Sequence, residues 1–228
     1  MQIRIASAAI ALLIALTVAR AEPARLEVEK SRSTIAVKTF KEGFLSFFAG
    51  HEHGILVPSW SVDICADPQN WEKSDVTVNI PTASLVIDTP EARRAVDLDP
   101  DGGPSGDDKR KVQRQMLAPE NLAADRHPEI QFESRAVRRK GPAEVELVGA
   151  LQIRGRREEV QVPVRVTRPD GGLIRVQGSF KLNQTSFGIE PADVAGVVKV
   201  KDQVEIRMDI YGRMTEETCG TREASRNR

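Results

Sequence analysis

The sequence predicts an all-β fold, an antiparallel barrel of about eight strands carrying one short helical insertion, and three observations predict it. Apolar and polar residues alternate at period two through the runs 149–155, 160–166 and 173–180, which sends one face of each run to a core and the other to water. The runs are joined by short polar segments, one of them Pro169-Asp170-Gly171, where proline presets φ and glycine supplies a positive φ. Finally, strand and helix patterns nowhere alternate as a parallel sheet requires. Closing so many strands into a barrel removes their unpaired edges. A two-sheet sandwich would bury the same alternate residues, so periodicity leaves that rival open.

The chain begins with Met1-Gln2-Ile3-Arg4, an apolar run from Ile5 to Val18 and the small-residue site Ala19-Arg20-Ala21, the three parts of a secretory leader. The 14 residues of the run fall short of the roughly 20 that span a bilayer. Residues 1–21 are therefore read as a cleaved signal peptide, 22–212 as one β domain, and 213–228 as a polar tail expected to fray. Export implies a periplasmic protein, not membrane-spanning after cleavage, since no later segment is long and apolar enough to cross. Losing the leader takes Arg4 and Arg20 from 33 basic side chains and nothing from 33 acidic ones. That balance argues against a nucleic-acid partner, whose binding needs a basic surface to displace counterions. A homodimer is left open.

Within the domain, Leu26–Val28 and Thr34–Val37 read as short strands, followed by the densest aromatic stretch, Gly43-Phe44-Leu45-Ser46-Phe47-Phe48, expected to plug one end of the core. Trp60, Val62 and Ile64 alternate on the next strand. Val76, Val78 and Ile80 share even positions, whereas Ala83, Leu85 and Ile87 continue on odd ones, so a bulge or bend is expected at Pro81-Thr82. From Pro90 to Leu122 the strand pattern stops: Asp97–Asp108 is an acidic loop rich in glycine and proline, and Lys109–Leu117 has the spacing of a short amphipathic helix. Strands resume at Glu129–Phe132 and Glu144–Leu147. The last strand, from Val198 to Ile210, puts Asp202 in its apolar phase, marking either a bend or an inward acid near an open end.

Two cysteines, Cys65 and Cys219, travel to an oxidising compartment. Alternation turns Cys65 outward, where a returning tail could reach it, but two cysteines give no spacing to test and pairing stays open.

Chemistry is sparsely signalled. There is no Gly-x-Ser-x-Gly elbow, and neither cysteine has a histidine at a recognised spacing, so a hydrolase with a Ser or Cys nucleophile is poorly supported. His51-Glu52-His53 would place two imidazoles on one strand face, with His127 as a third ligand, which defines a metal-binding or metal-dependent alternative. Asp97, Asp99, Asp101, Gly102 and Asp108 imitate part of a calcium loop, yet Pro100 and Pro104 stiffen it and a solvated loop is the better reading. The inward set from alternation is Val78, Ile80, Phe132, Leu147, Leu151, Val162, Val164, Ile174, Val176, Phe180, Val204 and Ile206. With mid-sized side chains and interspersed glycines, such an interior suits either an apolar slot for one small ligand or a solid core, the second making a structural or interaction domain.

Several segments together resemble the YceI-like family of exported polyisoprenoid-binding proteins: Ser84-Leu85-Val86-Ile87-Asp88, Arg114-Gln115-Met116 with Glu120-Asn121-Leu122, and His127-Pro128-Glu129-Ile130-Gln131-Phe132. To these add Gly149–Gly155 with Val160–Pro163, Phe180–Gly188, and Val198–Asp202. They occur in the family's order over nearly the whole mature chain. The resemblance implies a lipocalin-like barrel whose tunnel holds a polyprenyl chain or quinone tail, a non-catalytic carrier with no cofactor, and it tips the interior toward a slot. Departures are Thr39-Phe40-Lys41 where many relatives carry a histidine, His127 where they have an aromatic, and Gly50-His51-Glu52-His53, which suggests a variant branch.

Overall fold

The computed structural model describes residues 23–42, 52–67, 69–191, 193–194 and 198–219. The signal-peptide reading, the aromatic stretch 43–48 and His51 lie outside them.

The strands are β1 (Ala24–Val28), β2 (Thr34–Glu42), β3 (Gly54–Leu56), β4 (Ser61–Ala66), β5 (Asp75–Pro81), β6 (Val86–Ile87), β7 (Glu129–Arg139), β8 (Glu144–Ile153), β9 (Arg156–Thr167), β10 (Leu173–Asn183), β11 (Asp193–Val194) and β12 (Val198–Thr218). The helices are α1 (Pro90–Arg94) and α2 (Gly106–Leu117). Pairing runs β1-β4-β5-β7-β8-β9-β10-β12 and returns from β12 to β1, so eight antiparallel strands close a barrel and the sandwich is set aside.

Four consecutive strands, β7 to β10, form a regular wall. The β8–β9 hairpin turns on Arg154 and Gly155, both at positive φ (52° and 74°), as a two-residue turn matched to strand twist requires. Within this wall Gly149 is needed for close approach: a Cβ there would stand 2.5 Å from the Glu133 carbonyl oxygen and 2.7 Å from the Phe132 ring.

The opposite wall is built from strands that each break once. β1 and β2 both pair with β12, β3 and β4 are successive pieces of one course, and β5 and β6 of another; β1-β4-β5 pair at one level and β2-β3-β6 at the other. The breaks fall at the 3₁₀ turn Lys30–Arg32, at Val57–Trp60 and at the 3₁₀ turn Thr82–Ser84. The bend expected at Pro81-Thr82 is thus a helical turn that ends one strand and starts another. Lys30 Nζ donates to the Trp60 carbonyl at 2.8 Å, and the Thr82 amide donates to the Pro128 carbonyl at 2.8 Å. Behind the breaks, Val57, Trp60, Leu85 and Ile210 form a buried cluster.

α1 is started by Thr89, whose side chain accepts from the Ala92 amide, with Pro90 in the first turn. α2, three residues longer at its start than the amphipathic pattern, is fastened to the sheet by side chains: Gln113 Oε1 accepts from the Ile87 amide and its Nε2 donates to the Leu85 carbonyl, while Lys109 Nζ donates to the Asp88 carbonyl. Met116 then packs against the Trp60 cluster.

β12 shows a register shift between Val200 and Val204, where Asp202 turns to accept from the amide and hydroxyl of Thr185. The acid in the apolar phase therefore marks a bend. From Gly212 to Cys219 the chain does not fray: β12 continues to Thr218, pairs with β1, and is followed by a Cys65–Cys219 disulfide with Cα atoms 5.9 Å apart, while residues 220–228 lie outside the described residues. Polar composition misled here because alternate pairing to β1 needs backbone groups, which every residue supplies.

Candidate functional site

Inward side chains of both walls enclose a cavity of about 230 Å³. Its lining runs from Ser74, the residue before β5, through Val76 and Val78 to Ile80, about 20 Å at the usual strand rise. Eleven of the twelve residues assigned inward from alternation line it: Val78, Ile80, Phe132, Leu147, Leu151, Val162, Val164, Ile174, Val176, Phe180 and Ile206. Val204 is buried but not part of the lining. It lies one inward step beyond Ile206, opposite Leu182, which packs with Phe187 and Ile189 in a cluster against Leu151 and Ile153. Within that cluster Phe187 is 1% exposed, and its ring supplies filling at this end of the barrel.

The broken wall adds lining that alternation did not assign to the site, including Leu26, Val57, Trp60, Val62 and Trp71. Trp60 and Val62 carried a legible signal in their own strand; Trp71 sits in a 3₁₀ turn (Trp71–Lys73), where no two-residue period exists. In the regular wall Val137 also lines the cavity, after a register shift between Ser134 and Ala136 restores the inward phase. Ser134, buried at that bulge, accepts from the Val76 amide at 2.8 Å. Among the described residues every lining side chain is aliphatic, aromatic or a thioether except Ser74. Such a surface offers burial of apolar area and little else.

His53 and His127 are engaged elsewhere. His53 Nδ1 donates to Asp88 Oδ2 at 2.5 Å, and Asp88 Oδ1 accepts from Arg93 Nη1 at 2.9 Å and from the Gly54 amide at 3.1 Å. Arg93 also donates to the carbonyls of Glu52 and Asp99. The Asp88 side chain is 0% exposed. Burial pushes its carboxyl up, but hydrogen bonding and attraction from His53, the Gly54 amide and Arg93 outweigh this and hold it below its ordinary 3.8. The result is a knot joining β3, the residue after β6, and α1. His127 is placed differently: its ring lies against Gly155, and its carbonyl accepts from Thr82 Oγ1 at 2.7 Å.

Among the described residues, no three His, Cys, Asp or Glu side chains are grouped to hold a metal ion. The acids of the 97–108 loop diverge, with Asp97 paired to Arg207 and Asp108 to Lys111. No helix among the described residues is long and apolar enough to cross a membrane.

A family model described as YceI-like domain matches residues 26–211. A search of the curated proteins returns no match. Among solved structures, the chain is similar to BcnA of Burkholderia cenocepacia (19% identity, 81% of this chain and 99% of that one, TM-score 0.61). It is also similar to the YceI protein of Campylobacter jejuni (13% identity, 72% and 85%, TM-score 0.52). A third is a polyisoprenoid binding domain from Saccharophagus degradans implicated in plant cell wall breakdown (9% identity, 85% and 100%, TM-score 0.53). At these identities the likeness is one of fold.

Proposed function

We propose, from the premise that the chain belongs to the YceI-like domain family, that it is an exported, non-catalytic carrier holding an isoprenoid-type lipid in its barrel. The observation that carries the reading is the cavity of about 230 Å³ with its apolar lining. That volume is below the roughly 300–1,000 Å³ usual for drug-sized ligands, which favours a slender tail over a broad ring system. Each enclosed methylene contributes about 0.8 kcal/mol before ordering costs, so a polyprenyl or quinone tail binds without any charged contact. The structural relative described as a polyisoprenoid binding domain supports the choice of tail. Export to the periplasm rests on the leader-like composition of residues 1–21.

The test is organic extraction and mass spectrometry of protein exported on its own leader. The expected result is one isoprenoid-type species in near-stoichiometric amount and a mature N-terminus at Glu22. Repeated recovery of lipid-free protein would reject the carrier reading.

A further inference from the structure

At the level of β2, β3 and β6 the sheet does not close on itself. β5 and β7 stay paired up to the bond between the Thr82 amide and the Pro128 carbonyl. Beyond it β6 continues the course of β5, but among the described residues it pairs with β3 alone. The place of a neighbouring strand is taken by α2 and the segment that follows it. Leu122 of that segment packs both against the cluster of Trp60 and Leu85 and against the cluster of Leu151, Ile153 and Phe187, and Met116 of α2 packs against the first. Leu85, Leu151 and Ile153 line the cavity, whereas Met116 and Leu122 do not, so these two cover the lining from outside. The free edge of β6 is held by one side chain: Gln113 accepts from the Ile87 amide at 2.9 Å and donates to the Leu85 carbonyl at 2.8 Å, as a paired strand would. α2 is otherwise lightly seated. No residue in it is fully buried, Lys109 Nζ donates to the Asp88 carbonyl, and a hollow of about 650 Å³ is lined by Val86, Ile87 and Thr89 on the sheet side and by Lys109, Gln113 and Arg114 on the helix side. An element with so little burial opens far more readily than the whole fold. Its flanks are tied, by the Asp97–Arg207 ion pair before α2 and by Thr82 on the carbonyls of His127 and Pro128 after it.

From this we infer that α2, with the segment through Leu122, is a lid over the cavity latched by Gln113, and that an apolar tail enters and leaves beside β6, where no ladder closes the wall. The inference rests on the carrier reading above and deepens it by giving the gate of the same site. Opening here hands the Ile87 amide and the Leu85 carbonyl to water, which satisfies them. Parting two strands of the regular wall would instead break a run of ladder bonds, such as those that pair β8 with β9 from Glu144 to Ile153. Gln113 is not part of the cavity lining, so it acts on the ligand only through the lid. It sets how often the lid opens, and therefore changes entry and exit by the same factor while affinity stays put.

The experiment uses the whole mature protein, stripped of lipid, with 1-bromododecane as the probe. The chain has two tryptophans, Trp60 and Trp71, and both line the cavity, so quenching by bromine reports occupancy. Titration gives the affinity, and stopped-flow mixing of loaded protein with excess α-cyclodextrin gives the exit rate. Gln113→Ala is expected to speed exit about tenfold, the size of one or two net hydrogen bonds, with Kd changed less than about twofold. Lys109→Met, which removes the second tie, acts in the same direction. In both variants amide hydrogen exchange is expected to rise at Ile87 and along α2 while the amides of β8 and β9 keep their protection. Exit rates unchanged in both variants, faster exit matched by an equal loss of affinity, or faster exchange throughout the barrel overturns the lid and leaves the carrier reading standing. Absence of quenching in the wild type removes both proposals together.

Discussion

On one side of the barrel β7, β8, β9 and β10 run unbroken for 11, 10, 12 and 11 residues, each reached from the last by a short turn. On the other side the same kind of alternating sequence is cut into β1 to β6, none longer than the nine residues of β2. The regular wall is held by ladders between neighbours in sequence, which are inexpensive in loop entropy. The broken wall is held by groups far apart in the chain: Cys65 with Cys219, 154 residues away, Lys30 with Trp60, and Asp88 with His53. The comparison teaches that the barrel is one sheet with two modes of support, and that closure depends on the discontinuous one.

Removing the covalent joint breaks the comparison most severely. Reduction, or Cys65→Ser with Cys219→Ser, lowers unfolding free energy by up to about 5 kcal/mol, as expected for a loop of this length, read as a shift in denaturant midpoint. An unchanged midpoint would mean that the β1–β4 and β1–β12 ladders close the barrel unaided. The polar joint comes next. Asp88→Asn leaves His53 and Arg93 without their buried acceptor charge and costs about 3 kcal/mol near neutral pH. Because the folded carboxyl titrates below its ordinary 3.8, its stabilising contribution is complete above that value and is lost as pH falls through the lower folded one. The gap between wild type and variant should therefore narrow on going from neutral pH to below about pH 4, measured by urea unfolding across that range; a constant gap would show that the charge is not what binds the joint. The smallest effect sharpens the picture of the regular wall. Gly149→Ala forces a methyl onto the Glu133 carbonyl and the Phe132 ring and should cost about 1–3 kcal/mol by overpacking, read as a lowered thermal midpoint with the disulfide intact.

How much was legible differs between the walls for the same reason. Leu147, Leu151, Val162, Val164, Val176 and Phe180 could be assigned inward because period-two alternation is a local property and their strands are long enough to show it. Trp71 and Ser74 could not, since one sits in and the other just after a 3₁₀ turn. Val204 shows the limit within a legible strand: its phase is inward, but phase does not say where along the axis a cavity ends. The knot of Asp88, His53 and Arg93 had no local signature either. Asp88 takes φ +50°, and its carboxylate is met by His53 and Gly54 from one segment and by Arg93 from another.

The residue pattern on its own was sufficient for an all-β chain, for the meander of β8 to β10, for most of the inward face, and for the family resemblance that the match over 26–211 establishes. Closure of the sheet, the joining of Cys65 to Cys219, and the presence of a hollow were decided by three-dimensional packing. Alternation constrains which face a side chain takes, whereas an enclosed space depends on whether side chains from distant strands meet across the axis, and that distance is set by the curvature of the whole sheet.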